Sequence, residues 1–330
     1  MVIDMDISII DGLSSINGIE WIIDAGTLAL ACLMFGRLYE KRRTAQSFGV
    51  LLYMFCPFRI YSNHTAEDYA LALVWALIPL YIWCMTALVR TRQKRTRTAL
   101  YLLPAALSLT GIGYADVLQL LIVCGITLCA FLYTRARRPL LLIPPVLSCI
   151  LCLPRLLLLK SYLSGSGFES LKLSLESIAP KGYSVGGLFS SYEFRNHAPG
   201  LGLALFLCLL AGLWLLFVKN RFIKETGAFI GEGNTFLLFW GVMGVLLTLP
   251  ALRSFPWDYI RRIGTWMVRL VAMLETPTIF FGYAQICFCI LGAGILEAFH
   301  RQENRIADIS VQFLVCLSAV GSGIYWCFLQ

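Results

Sequence analysis

Apolar residues fill ten long runs of this chain, at about 20–36, 46–60, 68–89, 99–112, 115–133, 139–159, 200–218, 234–250, 279–298 and 308–329. A helix rising about 1.5 Å per residue needs about 20 such residues to cross about 30 Å of hydrocarbon. The pattern therefore predicts an all-α protein, a polytopic transmembrane helix bundle of about ten spans. With no internal repeat in evidence, residues 1–330 read as a single transmembrane domain. The second and fourth runs are short, so they have to snorkel, thin the bilayer or sit inside the bundle. Gly111-Ile112-Gly113-Tyr114 predicts a tight turn that closes the fourth and fifth runs into a hairpin.

Two longer stretches interrupt the pattern. Residues 160–199, with Gly165, Gly167, Pro180, Gly182, Gly186 and Gly187, are too polar and irregular to span. Within 251–278, apolar residues recur from Ile260 at Ile263, Met267, Leu270, Val271 and Leu274, with Arg261, Thr265 and Arg269 on the other side. That spacing predicts an amphipathic helix lying in the membrane interface, with Trp257 and Trp266 as headgroup anchors.

Charge orients the spans. Arg37/Lys41/Arg42/Arg43, Arg90/Arg92/Lys94/Arg95/Arg97, Arg135/Arg137/Arg138, Lys219/Arg221/Lys224 and Arg301/Arg305 fall in every second gap and account for 17 of the 27 Lys and Arg residues. The short gaps between them hold Glu67 and Asp68, or Asp116, and no lysine or arginine. Basic loops stay cytoplasmic, so both termini and the stretches 160–199 and 251–278 are expected outside. The acidic start, with Asp4, Asp6, Asp11 and Glu20, suits that side and lacks the basic-then-apolar build of a signal peptide.

Composition agrees with the pattern: the chain is 58% hydrophobic, with a mean hydropathy of +0.75. The net charge of +8 is spent on loops beside the spans, which argues for anionic lipid headgroups and against nucleic acid. All 12 cysteines lie in or beside apolar runs and read as small core hydrophobes. Cys149-x-x-Cys152 has a metal-like spacing, but it lacks a second pair and a nearby histidine.

The ionisable residues avoid the span centres, which counts against a proton-coupled transporter. Asp24, Arg155 and Glu297 sit toward span ends, and the rest gather at the outer rim: Arg59, His64, Glu67, Asp68, Asp116, Glu193, Arg195, His197, Asp258, Arg261, Arg262 and Arg269. Such a rim fits lipid-linked sugar transfer. A carboxylate there removes the proton of an attacking hydroxyl, and arginines neutralise the departing polyprenyl phosphate. Glu67, Asp68 and Asp116 are the candidate bases; Arg59, Arg195, Arg261, Arg262 and Arg269 are the candidate phosphate and lipid ligands. For any one of these residues taken singly, ordinary loop solvation or snorkelling to phospholipid is the favoured reading.

Four blocks in order carry a family resemblance: GVLLYMFCPFRIYSNHTAEDYALALVWALIPL (49–80), LTGIGYADVL (109–118), FSSYEFRNHAPGLGLAL (189–205), and SFPWDYI with LETPTIFFGYA (254–260, 274–284). They resemble bacterial polytopic membrane proteins labelled 6-pyruvoyl-tetrahydropterin-synthase-related, whose fold is related to the C superfamily of glycosyltransferases. In that resemblance Arg59 matches the arginine of a Pro-Tyr-Arg element, with Phe58 in place of tyrosine. The family's glutamate falls at Leu71, one helical turn after Glu67, and its hairpin histidine falls at Asp116. Of a Gln-Phe-Pro-Trp-Arg-Phe element only Pro277 and Phe280 match, since Glu275, Thr278 and Ile279 replace the glutamine, tryptophan and arginine.

The resemblance implies a glycosyltransferase-like protein of the bacterial plasma membrane that acts on or binds a polyprenyl-phosphate-linked sugar at the outer leaflet. It specifies no cofactor; a divalent metal is compatible with it, and no protein partner is named by it. Superfamily members carry the catalytic aspartate in a first outer loop, and this chain is expected to start near the end of that region. A truncated, non-catalytic relative that binds lipid, scaffolds or flips lipid is the alternative reading, and a solute transporter the third.

Overall fold

The structure, a computed structural model, describes residues 19–40, 42–65, 69–90, 95–133, 139–158, 181–190, 192–193, 198–214, 235–262, 264, 271, 277–300 and 305–328. The chain divides into two compact units, one holding Met1–Met54, Arg59–Cys152 and Tyr325–Gln330, the other Phe55–Phe58 and Leu153–Ile324. Nothing in the hydropathy pattern marks that division.

The first unit contains α1 (Ile19–Leu38), α2 (Arg43–Met54), the end of a one-turn α3 (Pro57–Ile60) and a π-helical turn at Tyr61–Thr65. It continues with α4 (Tyr69–Arg90), α5 (Arg95–Ala115), α6 (Val117–Tyr133), a 3₁₀ turn at Pro139–Leu142 and α7 (Ile143–Leu151). Helix α1 packs on α2 and α4, α4 on α5, and α5 on α6 and α7. Small residues set these approaches, as expected where hydrocarbon gives apolar side chains little reason to associate. A Cβ at Gly49 would overlap the Phe35 ring, and one at Gly113 would lie 2.7 Å from Cys152 Sγ. Short polar links add direction: Ser148 donates to the Ala106 carbonyl at 2.8 Å, and Tyr81 and Thr127 share a hydrogen bond of 2.8 Å.

In the second unit, α8 (Val185–Phe189) leads to a two-residue antiparallel pairing of β1 (Tyr192–Glu193) with β2 (Ala198–Pro199). Then follow α9 (Leu203–Trp214), α10 (Thr235–Ala251), a 3₁₀ turn at Trp257–Arg262, α11 (Thr278–His300) and α12 (Arg305–Phe328), the last of which belongs to this unit as far as Ile324. Helix α11 is apolar all round and buried along nearly its whole length, with α9 and α10 packed on it. Glycines again permit contact: Gly212 lies under Ile295 and Gly244 under Phe288.

Among the described residues, four helices are long and apolar enough to cross a membrane: Glu20–Leu38, Tyr69–Val89, Thr98–Ala115 and Thr278–His300. Five shorter apolar helices, Val117–Tyr133, Leu140–Leu151, Leu203–Trp214, Leu237–Ala251 and Ile309–Ser322, complete the apolar set among the described residues. The protein is therefore a helical protein of membrane character.

Three expectations need correction. The run 46–60 is not one helix: it breaks at Phe55–Cys56, because the residue before Pro57 is driven out of the helical region. The fourth run is longer than its apolar stretch suggests, since α5 starts at Arg95 and continues through Gly111–Tyr114 to Ala115. The hairpin turns at Asp116 instead. There the Asp116 N–H closes α5 on the Ile112 carbonyl at 2.8 Å, and the Asp116 carboxylate accepts the Leu118 N–H at 2.8 Å to start α6. Gly111 and Gly113 serve packing, not turning.

The interfacial helix expected at 260–274 lies mostly outside the described residues, and its first turn, Trp257–Arg262, is 3₁₀. Trp257 is no headgroup anchor. It is 4% exposed and packs on Phe255 and Phe280 at centroid distances of 4.8 and 6.4 Å.

Candidate functional site

The break after α2 builds the first cluster of buried polar groups. In an unbroken helix the Met54 carbonyl would accept the Phe58 N–H. Here it accepts from Nε of Arg59 at 2.9 Å and from Nη2 of the same guanidinium. Nη1 of Arg59 reaches the Asp24 carboxylate on α1, and that carboxylate also accepts from Nδ2 of Asn63 at 2.9 Å. Arg59 is 6% exposed and Asn63 3%, while the Asp24 side chain keeps 17% of its surface, so this is a largely buried ion pair with an amide beside it. Asn63 takes its place from the π-helical turn, a geometry that recurs at functional sites. Arg59 was expected as a rim ligand for phosphate; its guanidinium is turned inward onto Asp24 and Met54.

The Phe58 N–H released by the same break is used in the second unit. It donates to Oε1 of Gln285 at 3.2 Å, and the Cys56 thiol donates to that oxygen at 2.9 Å. Nε2 of Gln285 donates to the Gly200 carbonyl at 2.8 Å. Gln285 is fully buried near the middle of α11. Beside this junction, Tyr183 donates its hydroxyl to Pro199 O at 2.6 Å and stacks at a tilt on Phe281, at 4.9 Å. The Tyr183 backbone bridges Ala251 and Arg253, each at 2.8 Å, which Gly182 allows because a Cβ there would meet Arg253 N at 2.7 Å.

Sequence reasoning missed Gln285 because it sought ionisable groups at depth, and an uncharged amide in an apolar run carries no such mark. Counting every mid-span amide would have found it.

The remaining candidates separate. The Asp116 carboxylate caps α6, as described above. Arg262 is exposed and its guanidinium lies 4.6 Å over the Tyr259 ring, which is itself 59% exposed. It makes no hydrogen bond among the described residues. Arg261 belongs to the same 3₁₀ turn. Glu67, Asp68, Arg195 and Arg269 lie outside the described residues.

Among the described residues, no three His, Cys, Asp or Glu side chains are grouped as a metal ion would require. The Cys152 thiol donates to the Thr110 carbonyl at 3.6 Å, a helix-packing contact.

Compared with protein-family models, curated proteins and solved structures, the chain matches none. The fold and its buried polar junctions define the class, a helical protein with membrane-spanning character, and the step from class to activity rests on the chemistry of the residues.

Proposed function

We propose that this is a plasma-membrane protein of about ten spans, glycosyltransferase-like in build, that holds a polyprenyl-phosphate-linked sugar or its lipid at the outer face without transferring it. The observation that carries this reading is Arg262. It is an exposed arginine on a 3₁₀ turn whose Tyr259 braces the guanidinium by a cation–π contact. A planar fork of N–H donors at an aromatic, interfacial position suits a phosphate joined to an apolar tail. Arg59 and Asp116, by contrast, are engaged in holding helices together, which favours binding over chemistry.

Catalysis is the second reading, and the π-helical turn Tyr61–Thr65 favours it, because Glu67 and Asp68 come two and three residues after it in the chain. One experiment separates the two. Purified protein in lipid vesicles is given polyprenyl-phosphate sugars and assayed for retention and for transfer. Retention without turnover, weakened in Arg262→Ala, supports binding. Turnover that disappears in Glu67→Gln or Asp68→Asn makes the protein an enzyme, and absence of both retention and turnover sinks the proposal.

A further inference from the structure

We infer that α8 is a one-turn foot set into the bilayer interface, with Val185 and Phe189 entering the lipid leaflet while Lys181 and Arg253 meet phospholipid phosphate at its surface. Val185 and Phe189 are 62% and 52% exposed. Four residues apart on the same turn, they share a face, while Leu188 is buried and fixes the turn to the unit. The rest of the turn is small and polar, Ser184, Gly186, Gly187 and Ser190, so these two side chains are what it presents. The Ser184 hydroxyl caps it by accepting the Gly187 N–H at 3.0 Å, which keeps the turn formed whatever lies beyond it.

The backbone holds α8 across the first residues of α9 and the last of α10. The Leu188 carbonyl accepts the Leu201 N–H at 2.7 Å, two residues before α9 begins, and the Tyr183 N–H donates to Ala251, where α10 ends. Gly200 permits the approach: a Cβ there would run into the Ser190 carbonyl and lie 2.7 Å from that of Gly187. Both helices carry exposed apolar side chains up to this point, Leu203 and Leu210 on α9 and Val245 and Leu249 on α10. Phe189 lies edge-on to Phe206 at 5.5 Å, and Phe206 falls between Leu203 and Leu210 on the same helical stripe. The exposed face of α8 therefore continues a helix face whose only suitable solvent is hydrocarbon.

Charge agrees with that placement. Lys181 and Arg253 are exposed and lie level with Tyr183: Lys181 is two residues before it, and the Arg253 N–H donates to its carbonyl at 2.8 Å. Neither 181–190 nor 251–257 contains an acidic residue, so this surface is positive without a local counter-charge. Basic heads flanking an apolar face are the build of an interfacial segment, the stems lying along hydrocarbon and the charges reaching phosphate. Phosphate is common to zwitterionic and anionic phospholipids, so the foot needs no particular headgroup. The inference requires a bilayer around α9 and α10 and stands apart from the role proposed for Arg262.

Nitroxide labels on the full-length, cysteine-free protein in phosphatidylcholine vesicles test it. Labels at Val185→Cys and Phe189→Cys are expected to relax more with oxygen than with a water-soluble nickel chelate, at a depth of about 5–10 Å below the headgroup boundary. A label at Ser254→Cys, exposed on the segment beyond Arg253, should show the reverse order. Lys181→Gln with Arg253→Gln should move the labels at 185 and 189 toward water. In the protein with its cysteines intact, Phe189→Trp should add an emission component that brominated lipid quenches and aqueous iodide does not.

Stronger relaxation by nickel at 185 and 189, or iodide quenching of the added tryptophan, would mean that α8 faces water and overturns the inference. So does spin–spin broadening between copies, which would make a second copy of the chain the occupant. Depths unchanged in the Lys181 and Arg253 variant would remove the phosphate contacts and overturn it as stated.

Discussion

Gln285 donates its amide to the carbonyl of Gly200 at 2.8 Å, joining the middle of a fully buried helix to the residues that lead into α9. Its other amide atom collects the Phe58 N–H and the Cys56 thiol. Replacement by leucine would keep the volume and leave both a buried carbonyl and a buried N–H without their partner. Gln285→Leu is therefore expected to destabilise the protein by about 2–4 kcal/mol, each orphaned group contributing about 1–3. A thermal melt in detergent reads this directly, and an unchanged midpoint would show the amide to be incidental.

Arg59 and Asp24 make a second, independent case. Removing one partner strands the other charge away from water, at about 3–5 kcal/mol for a buried pair. Asp24→Asn and Arg59→Met are each expected to be strongly destabilising, and the double variant milder than the sum of the two. Arg59→Lys should not rescue, because a single ammonium cannot reach both Asp24 and the Met54 carbonyl with the fork that Arg59 uses. Additive losses in a double-mutant cycle would mean the pair is not coupled.

Glycines divide into two kinds that substitution can tell apart. A Cβ at Gly244 would sit 2.5 Å from the Phe288 ring, and at Gly113 2.7 Å from Cys152 Sγ, whereas at Gly125 nothing lies within 4 Å. Gly244→Ala and Gly113→Ala should each cost about 1–3 kcal/mol through overpacking. Gly125→Ala should be neutral or stabilising by up to about 1 kcal/mol, since alanine is the better helix former. Equal effects at all three positions would contradict the packing described.

Orientation is open to labelling in a cysteine-free background. Cysteines at Ser184 and Ser254, both exposed, should react with an impermeant reagent from outside, and ones at Gln93 and Arg301 should not. Asn63, attractive from sequence as an outer-loop position, is a poor reporter because it is 3% exposed and bound to Asp24. Reaction at Gln93 with protection at Ser184 would reverse the topology.

Much of the helix layout was written in the hydropathy. The runs 68–89, 115–133, 234–250 and 279–298 reappear as α4, α6, α10 and α11 with ends shifted by a few residues. Local breaks were legible but misread. Cys56-Pro57 signalled the interruption of the second run, and Asp116, an N-cap residue type just before an apolar stretch, signalled the true turn better than the glycines nearby. The Asp24–Arg59 pair was not legible at all, because nothing local connects residues 35 positions apart. Trp257 failed for a related reason: whether a tryptophan anchors at an interface or fills a core depends on what Phe280 brings to it from another element.

The buried amide of α11 has a consequence for biogenesis. A chain is made from its N-terminus, so residues 55–58 and Gly200 have already been synthesised when Gln285 leaves the ribosome. The buried amide of this enclosed helix is thus delivered after the acceptors and donors that it meets. Release of α11 sideways from an insertion channel into lipid would expose Gln285 to hydrocarbon, whereas docking straight onto α9 and α10 spares it that passage. The order of the segments along the gene is, in this respect, an assembly instruction.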